Sequence, residues 1–321
     1  MSGFARQALI VLAVVALAYL AWRVAYALLL AFGGILFALF LRGVADALAR
    51  RTRLGMRVSL AVVGLVLLAG VALGALALGP QIAERFDELG RTLAQGAGEA
   101  RAYLRKTQWG QALLEQQGDL LGAASRVLIT AVDAVLALVL VVVAGIYLAV
   151  SPRLYAEGVV DLLPEQHRAR GRDLLTSTGR ALWRWVLGQF VTMAVVGMLT
   201  AAGLHLAGVP LAVPLGIVAG LLEFIPFLGP FLAAVPIVLV ALTVGTQTAL
   251  YAALVLLVVQ QLESNLLTPL VQRRAVALPP VLILVGTIAL TLLFGALGAV
   301  FAAPLLVVVM VWTKMLYMKE A

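Results

Sequence analysis

Two stretches near the C-terminus decide the fold. The first reads PLGIVAGLLEFIPFLGPFLAAVPIVLVAL, from Pro214 to Leu242, and the second PVLILVGTIALTLLFGALGAVFAAPLLVVVMV, from Pro280 to Val311. Each starts at a proline, runs apolar for about four helical turns, and breaks at glycine. Each resumes with a similar phrase, GPFLAAVPIVLV from Gly229 against GAVFAAPLLVVV from Gly298. The pieces 214–228, 231–244, 280–294 and 297–312 are all short for a crossing, which takes ~20 residues. A duplicated, interrupted membrane segment points to a transporter's substrate site.

Composition agrees. The chain of 321 residues is 64% hydrophobic and 12% charged, with mean hydropathy +1.10. A soluble domain is about half apolar and about a quarter charged, so this is an all-α polytopic membrane protein. With no cysteine, disulfides, thiolate metal sites and cysteine catalysis are excluded. The net charge of +8 belongs to membrane orientation rather than nucleic acid, because the arginines sit between apolar runs and no basic stripe is interleaved with aromatics. No phosphate loop, serine–histidine–acid set or HExxH occurs, so neither ATP hydrolysis nor proteolysis is expected, and the protein reads as a non-enzyme. His167 and His205 are too far apart in sequence to suggest a metal site, and no cofactor is implied.

Apolar runs at about 8–22, 24–41, 58–79, 127–150, 186–207, 211–244, 248–268 and 280–312 give about eight nominal spans, two of them broken. The first could pass for a signal peptide, but a second run follows almost at once, so a retained span is expected. Arg42, Arg50, Arg51, Arg53 and Arg57 after the second run place that loop in the cytoplasm, and with it the N-terminus. The loop 151–184 returns there with Arg153, Arg168, Arg170, Arg172, Arg180 and Arg184, and the tail ends inside with Lys314 and Lys319. Three regions follow: N-terminal transmembrane helices 1–79, an extracytoplasmic amphipathic segment 80–126, and a transmembrane transport region 127–321. The middle segment places Ile82, Phe86, Leu89 and Leu93 at helical spacing, then Tyr103, Leu104, Trp109, Leu113 and Leu114. It reads as a helical hairpin on the outer surface or against a neighbouring subunit. In the C-terminal half, two re-entrant hairpins dipping from opposite faces satisfy both piece length and charge. Full crossings by all four pieces give the same end points.

Polar residues inside apolar runs are the site candidates. Glu223 lies in the first break, where Pro226 and Pro230 remove backbone donors and Gly229 allows a tight turn. Carbonyls freed there can take a cation or a polar solute; a turn capped by the glutamate is the structural alternative. Gln260, Gln261, Glu263, Ser264, Asn265 and Thr268, followed by Pro269, end the run between the breaks. Gln260, Ser264 and Thr268 share a helix face, with Gln261 and Asn265 beside them and Glu263 pointing off the stripe toward a neighbour. Between the two repeats, this stripe is placed to complete a site; a polar helix end at the surface is the plainer alternative. Gly295, Gly298 and Pro304 shape the second break, and Asp133 is a candidate proton-relay acid. Gly70–Gly74 and Gly216–Gly220 have the spacing of close helix contacts.

Gly188-Gln189, the Gly208-Val209-Pro210 turn, EFIPFLGP (223–230), QLESNLLTP (261–269) and the stretch from Gly298 through Ala303-Pro304 resemble the AI-2E family of transporters, the autoinducer-2 exporter-like permeases. The resemblance runs from about Phe4 to Met315. It implies a bacterial inner-membrane protein that exports a small solute, autoinducer-2 or a related metabolite. It also implies sodium or proton coupling in some members, and a homo-oligomer, with a pentamer suggested. Relatives often carry an acid just after the fourth span where this chain has Ser151. Two other functions stay open: a monovalent cation/proton antiporter, with Glu223 or Glu263 titrating, and a membrane scaffold that transports nothing.

Overall fold

The computed structural model describes residues 3–104, 137–267 and 279–317. All the regular elements among them are helical: α1 (Gly3–Thr52), α2 (Met56–Leu104), α3 (Ala137–Val150), α4 (Pro152–Asp161), α5 (Glu165–Leu206), α6 (Ala212–Leu222), α7 (Leu228–Leu242), α8 (Thr246–Leu262), a π-helical turn (Glu263–Leu267) and α9 (Pro280–Tyr317). The polytopic all-α architecture is as expected. Large apolar side chains stay exposed along α1, α2 and α3, the pattern of surfaces that face lipid rather than water.

The N-terminal half differs from its expected layout. The runs 8–22 and 24–41 are not two antiparallel spans: α1 is one helix of 50 residues, ~75 Å long at helical rise. Nothing between Leu20 and Val24 breaks it, since Trp22 and Arg23 are both compatible with a helix. The N-terminus therefore does not lie beside the arginine-rich turn at Arg53, whose φ of 57° turns the chain into α2. Likewise α2 passes residue 80 without a break and reaches Leu104. Its far part packs on the chain's own C-terminal half, where Gly96 lies directly against the Leu239 carbonyl. The stretch from residue 105 to 136, with the second half of the expected amphipathic hairpin, lies outside the described residues.

The cation-rich segments collect at one end. Arg42 donates to the Ala149 carbonyl at 2.6 Å, Gly43 lies under the Trp183 ring, and Arg170 donates to the Leu316 carbonyl at 3.2 Å. Trp312 donates to the Thr178 hydroxyl at 3.0 Å. The C-terminal ends of α1, α3 and α9 thus meet the N-terminal third of α5 at a shared basic end.

From that base α5 runs 42 residues and carries a hairpin on each flank. At its far end Gly208 (φ 72°) and Leu211 (φ 57°) reverse the chain, and α6 descends antiparallel: Gly216 faces Ala201, and Gly220 faces Met193 and Gly197. After a turn at 223–227, α7 climbs back, and α8 descends again. Leu204, Leu215, Ala219, Ile237, Val240 and Ala252 form the core of this unit. The first broken segment is therefore a hairpin opening away from the basic end. Its arms of 11 and 15 residues are too short for the ~30 Å hydrocarbon core.

The second segment is a hairpin too. By length and apolarity α9 would pass as one crossing, but its backbone leaves helical geometry at Gly295 (φ 62°, ψ −143°). A Cβ on Gly286 would stand 2.7 Å from the Leu306 side chain, and Gly298 lies against the Leu290 carbonyl. Only a fold-back at Gly295 brings these residues together. The arm 296–317 runs antiparallel to α5 into the basic end, so this hairpin opens there, opposite to the first. Leu29, Leu36, Ala181, Leu182, Phe301 and Val307 form its core with α1 and α5.

The hairpin is directly testable because the chain has no cysteine. Gly286→Cys with Leu306→Cys should oxidise to an intrachain disulfide in membranes, read by mass spectrometry after proteolysis. A straight helix would hold the two positions about 30 Å apart and give no cross-link.

Candidate functional site

The first hairpin ends in a turn that its sequence forces. Phe227 sits at φ 66°, ψ −45°, a strained position for a residue with a side chain. Pro226 contributes no N–H, and its carbonyl accepts from Leu228 at 2.8 Å, while Ile225 accepts from Gly229 at 2.8 Å. Gly229 lies directly against the Leu222 carbonyl, 3.1 Å from the Glu223 Cα for an added Cβ, so only glycine closes the turn. Pro230 falls in the first turn of α7, where a missing donor costs nothing.

Glycine contacts with α5 set the depth of that turn. They bring Gln189 within reach, and its Nε2 donates to the Glu223 carbonyl at 2.6 Å. Phe224 packs edge-on to Trp185, with centroids 5.8 Å apart. Glu223 is only 3% exposed. Counted along α5, Gln189 stands ~8 Å beyond Arg184, so the glutamate lies inside the apolar layer.

A second carboxyl meets it there. At the foot of α8, the Glu263 carboxyl stands next to that of Glu223 and accepts from Gln260 Nε2 at 2.9 Å. It begins a π-helical turn, a local widening often found at functional sites. Two neighbouring carboxyl groups in a low-dielectric pocket are most easily accommodated when they share one proton. Without that proton, two anions share a low-dielectric pocket and must separate or take up a cation. By charge balance, such a pair can exchange a proton for a monovalent cation or for a cationic group on a solute.

The polar stripe on α8 divides. Gln260 and Glu263 turn inward, and Glu263 joins the neighbouring hairpin. Gln261 and Asn265 turn the other way. Asn265 Nδ2 donates to the Gln261 carbonyl at 2.9 Å and to its side-chain oxygen at 3.1 Å. Both line a groove of about 440 Å³ with Leu254, Leu257 and Val258. Ser264 is exposed and donates to the Gln260 carbonyl at 2.8 Å. Thr268, Pro269 and Asp133 lie outside the described residues.

The second hairpin contributes architecture. Gly295 makes its turn, Gly298 allows its arms to touch, and Pro304 is fully buried in its second arm. Among the described residues it packs against α1 and α5 rather than against α6, α7 or α8. Gln189 is the functional candidate that sequence reasoning passed over. Its signals were an amide well inside an apolar run and its place in the Gly188-Gln189 family motif.

Two opposed re-entrant hairpins on one long helix, with a buried polar cluster at the tip of the first, define a membrane transport fold. The chain belongs to the AI-2E transporter family: the model of that family, described as AI-2E family transporter, matches residues 8–318. It is 29% identical to YrrI of Bacillus subtilis over 44% of this chain and 40% of YrrI. It is 35% identical to YueF of the same organism over 47% of this chain and 41% of YueF. A Mycobacterium tuberculosis relative is 34% identical over 60% of this chain and 53% of its own. All three are provisionally named as transport proteins, with no solute given, and the matches span about half or less of their lengths.

Two predictions follow from the geometry. Glu263→Ala strands a buried Glu223 without its partner and should cost about 1–3 kcal/mol, seen as a lower melting temperature in detergent, whereas Glu263→Gln keeps a hydrogen-bonding group and should cost less. Gly229→Ala should destabilise by about 1–3 kcal/mol through overpacking, while Gly90→Ala, with open space around it, should be neutral or stabilising.

Proposed function

We propose that this chain is a secondary transporter or facilitator that exports a small solute, an autoinducer-2-like molecule or related metabolite, from a bacterial inner membrane. The observation that carries the reading is the buried Glu223 at a re-entrant hairpin tip, next to a Glu263 carboxyl that is itself held by Gln260 at the foot of α8. In this reading Gln189, Glu223, Gln260 and Glu263 line the solute's path. Gln261 and Asn265 offer a second stretch of wall on the other side of α8; Ser264 and Thr268 keep the pathway role, and Asp133 the relay role, expected from the sequence. Pro226, Gly229, Pro230, Pro269, Gly295, Gly298 and Pro304 hold the broken helices. The basic end faces the cytoplasm, as the excess of arginine there supports, which puts the C-terminus inside. The protein works as a homo-oligomer.

The carboxyl pair also favours a second reading, in which a proton exchanges for sodium or another monovalent cation. Flux separates the two. Comparing metabolites released by cells with and without the protein identifies the cargo, and the purified chain in sealed vesicles should then carry it. Glu223→Gln should lower that flux about tenfold or more, the scale of a lost charge-assisted contact. Cation-for-proton exchange that persists in Glu223→Gln and Glu263→Gln vesicles would rule the pair out as the antiport site, and absence of any solute flux would leave the scaffold role.

A further inference from the structure

The transport site makes no use of α4, yet α4 carries the most sharply two-sided surface at the basic end. It follows α3 at a bend of 86°, made at Ser151 and Pro152, where proline occupies the first turn of the new helix. An apolar α3 that crosses the bilayer sets α4 along the membrane plane. Leu154, Tyr155 and Val159 fall on one side of α4, with Leu162 continuing that side just beyond it. All four are exposed, Leu162 by 84%. Gly158 lies among them and keeps the face flat.

The opposite side is fixed to the protein. Val160 is 1% exposed and reaches toward Gly171 of α5. Arg168 donates to the Asp161 and Leu163 carbonyls at 3.3 and 3.2 Å and lies 3.6 Å from the Asp161 carboxylate. The apolar face thus points away from α5 with its orientation locked. It is continuous with the exposed surface of Tyr147 and Val150 at the end of α3. Arg153 lies in the first turn of α4, and Arg170 and Arg172 flank Gly171, which Val160 faces. An apolar face flanked by arginine, joined to a lipid-facing helix end, matches the boundary between headgroups and acyl chains of an anionic leaflet.

We propose that α4 is an interfacial anchor, with Leu154, Tyr155, Val159 and Leu162 seated in the leaflet at the basic end and the neighbouring arginines against anionic headgroups. The anchor holds the base of α5, which also meets α9 through Arg170 and Thr178.

The full chain, free of native cysteine, allows a direct test. Leu154→Cys, Val159→Cys and Glu157→Cys are each labelled with bimane and reconstituted in phosphatidylethanolamine–phosphatidylglycerol vesicles containing shallow doxyl-labelled lipid. The anchor predicts strong quenching at 154 and 159 and little at 157, with weaker quenching at 154 and 159 when phosphatidylcholine replaces phosphatidylglycerol. Quenching at 154 and 159 no stronger than at 157 overturns the proposal. So does a probe at 154 shielded from lipid whose neighbours are labels on other copies, seen as energy transfer that grows with protein density. Quenching indifferent to phosphatidylglycerol removes the role given to the arginines.

Discussion

Gly197 of α5 meets Gly216 and Gly220 of α6 so closely that no side chain fits between them. In a membrane the hydrophobic effect does not press helices together, so close approach of small residues carries the association. This contact sets where the first hairpin stops, because α6 slides along α5 only as far as its glycines allow. Gln189 then lies at the level of Glu223 and takes up the carbonyl left free at the end of α6. A helix broken inside a bilayer must have its backbone groups satisfied by protein, and here one amide and one turn of glycine and proline satisfy them.

On that fixed level two carboxyl groups face each other from elements that could move separately. Glu223 belongs to a hairpin tip and Glu263 to a π-helical turn at the foot of α8. Their contact depends on charge state in a way that apolar packing does not. The same inverted design appears without acids in the second hairpin, which is anchored to α1 and α5 through Phe301, Val307 and Leu182. One repeat carries chemistry and the other supplies a counterpart of opposite orientation, with α5 between them.

Much of this was legible in the sequence because length and breakers act locally. Four short apolar pieces with glycine at two joints implied hairpins, and a glutamate inside an apolar run had to find a partner. Glu263 lay off the polar stripe, which already pointed to a neighbouring helix. The failures are equally physical. Trp22-Arg23 resembles a boundary in hydropathy, yet neither residue disfavours a helix, so α1 continues. Leu78-Gly79-Pro80 resembles a stop, but the amphipathic pattern from Ile82 prolongs the same helix. The split of Gln260 from Gln261 and the part played by Gln189 depend on the register between helices, and that register is set by Gly197, Gly216 and Gly220. Gly216–Gly220 has the spacing of a close helix contact, but in a chain with 30 glycines that spacing does not say which helix it meets or at what level.

The central claim is that the two hairpins enter from opposite faces and pass each other beside α5. From the Thr178–Trp312 contact, helix rise puts Gly295 ~25 Å and Gln189 ~16 Å from the basic end, so the tips overlap in depth. Spin labels at Phe227→Cys and Ala296→Cys, both exposed positions, allow their separation to be read by double electron–electron resonance in lipid vesicles. Hairpins overlapping in depth give a distance clearly below the ~30 Å hydrocarbon thickness. A distance well above that thickness would place the tips on opposite membrane surfaces and contradict it.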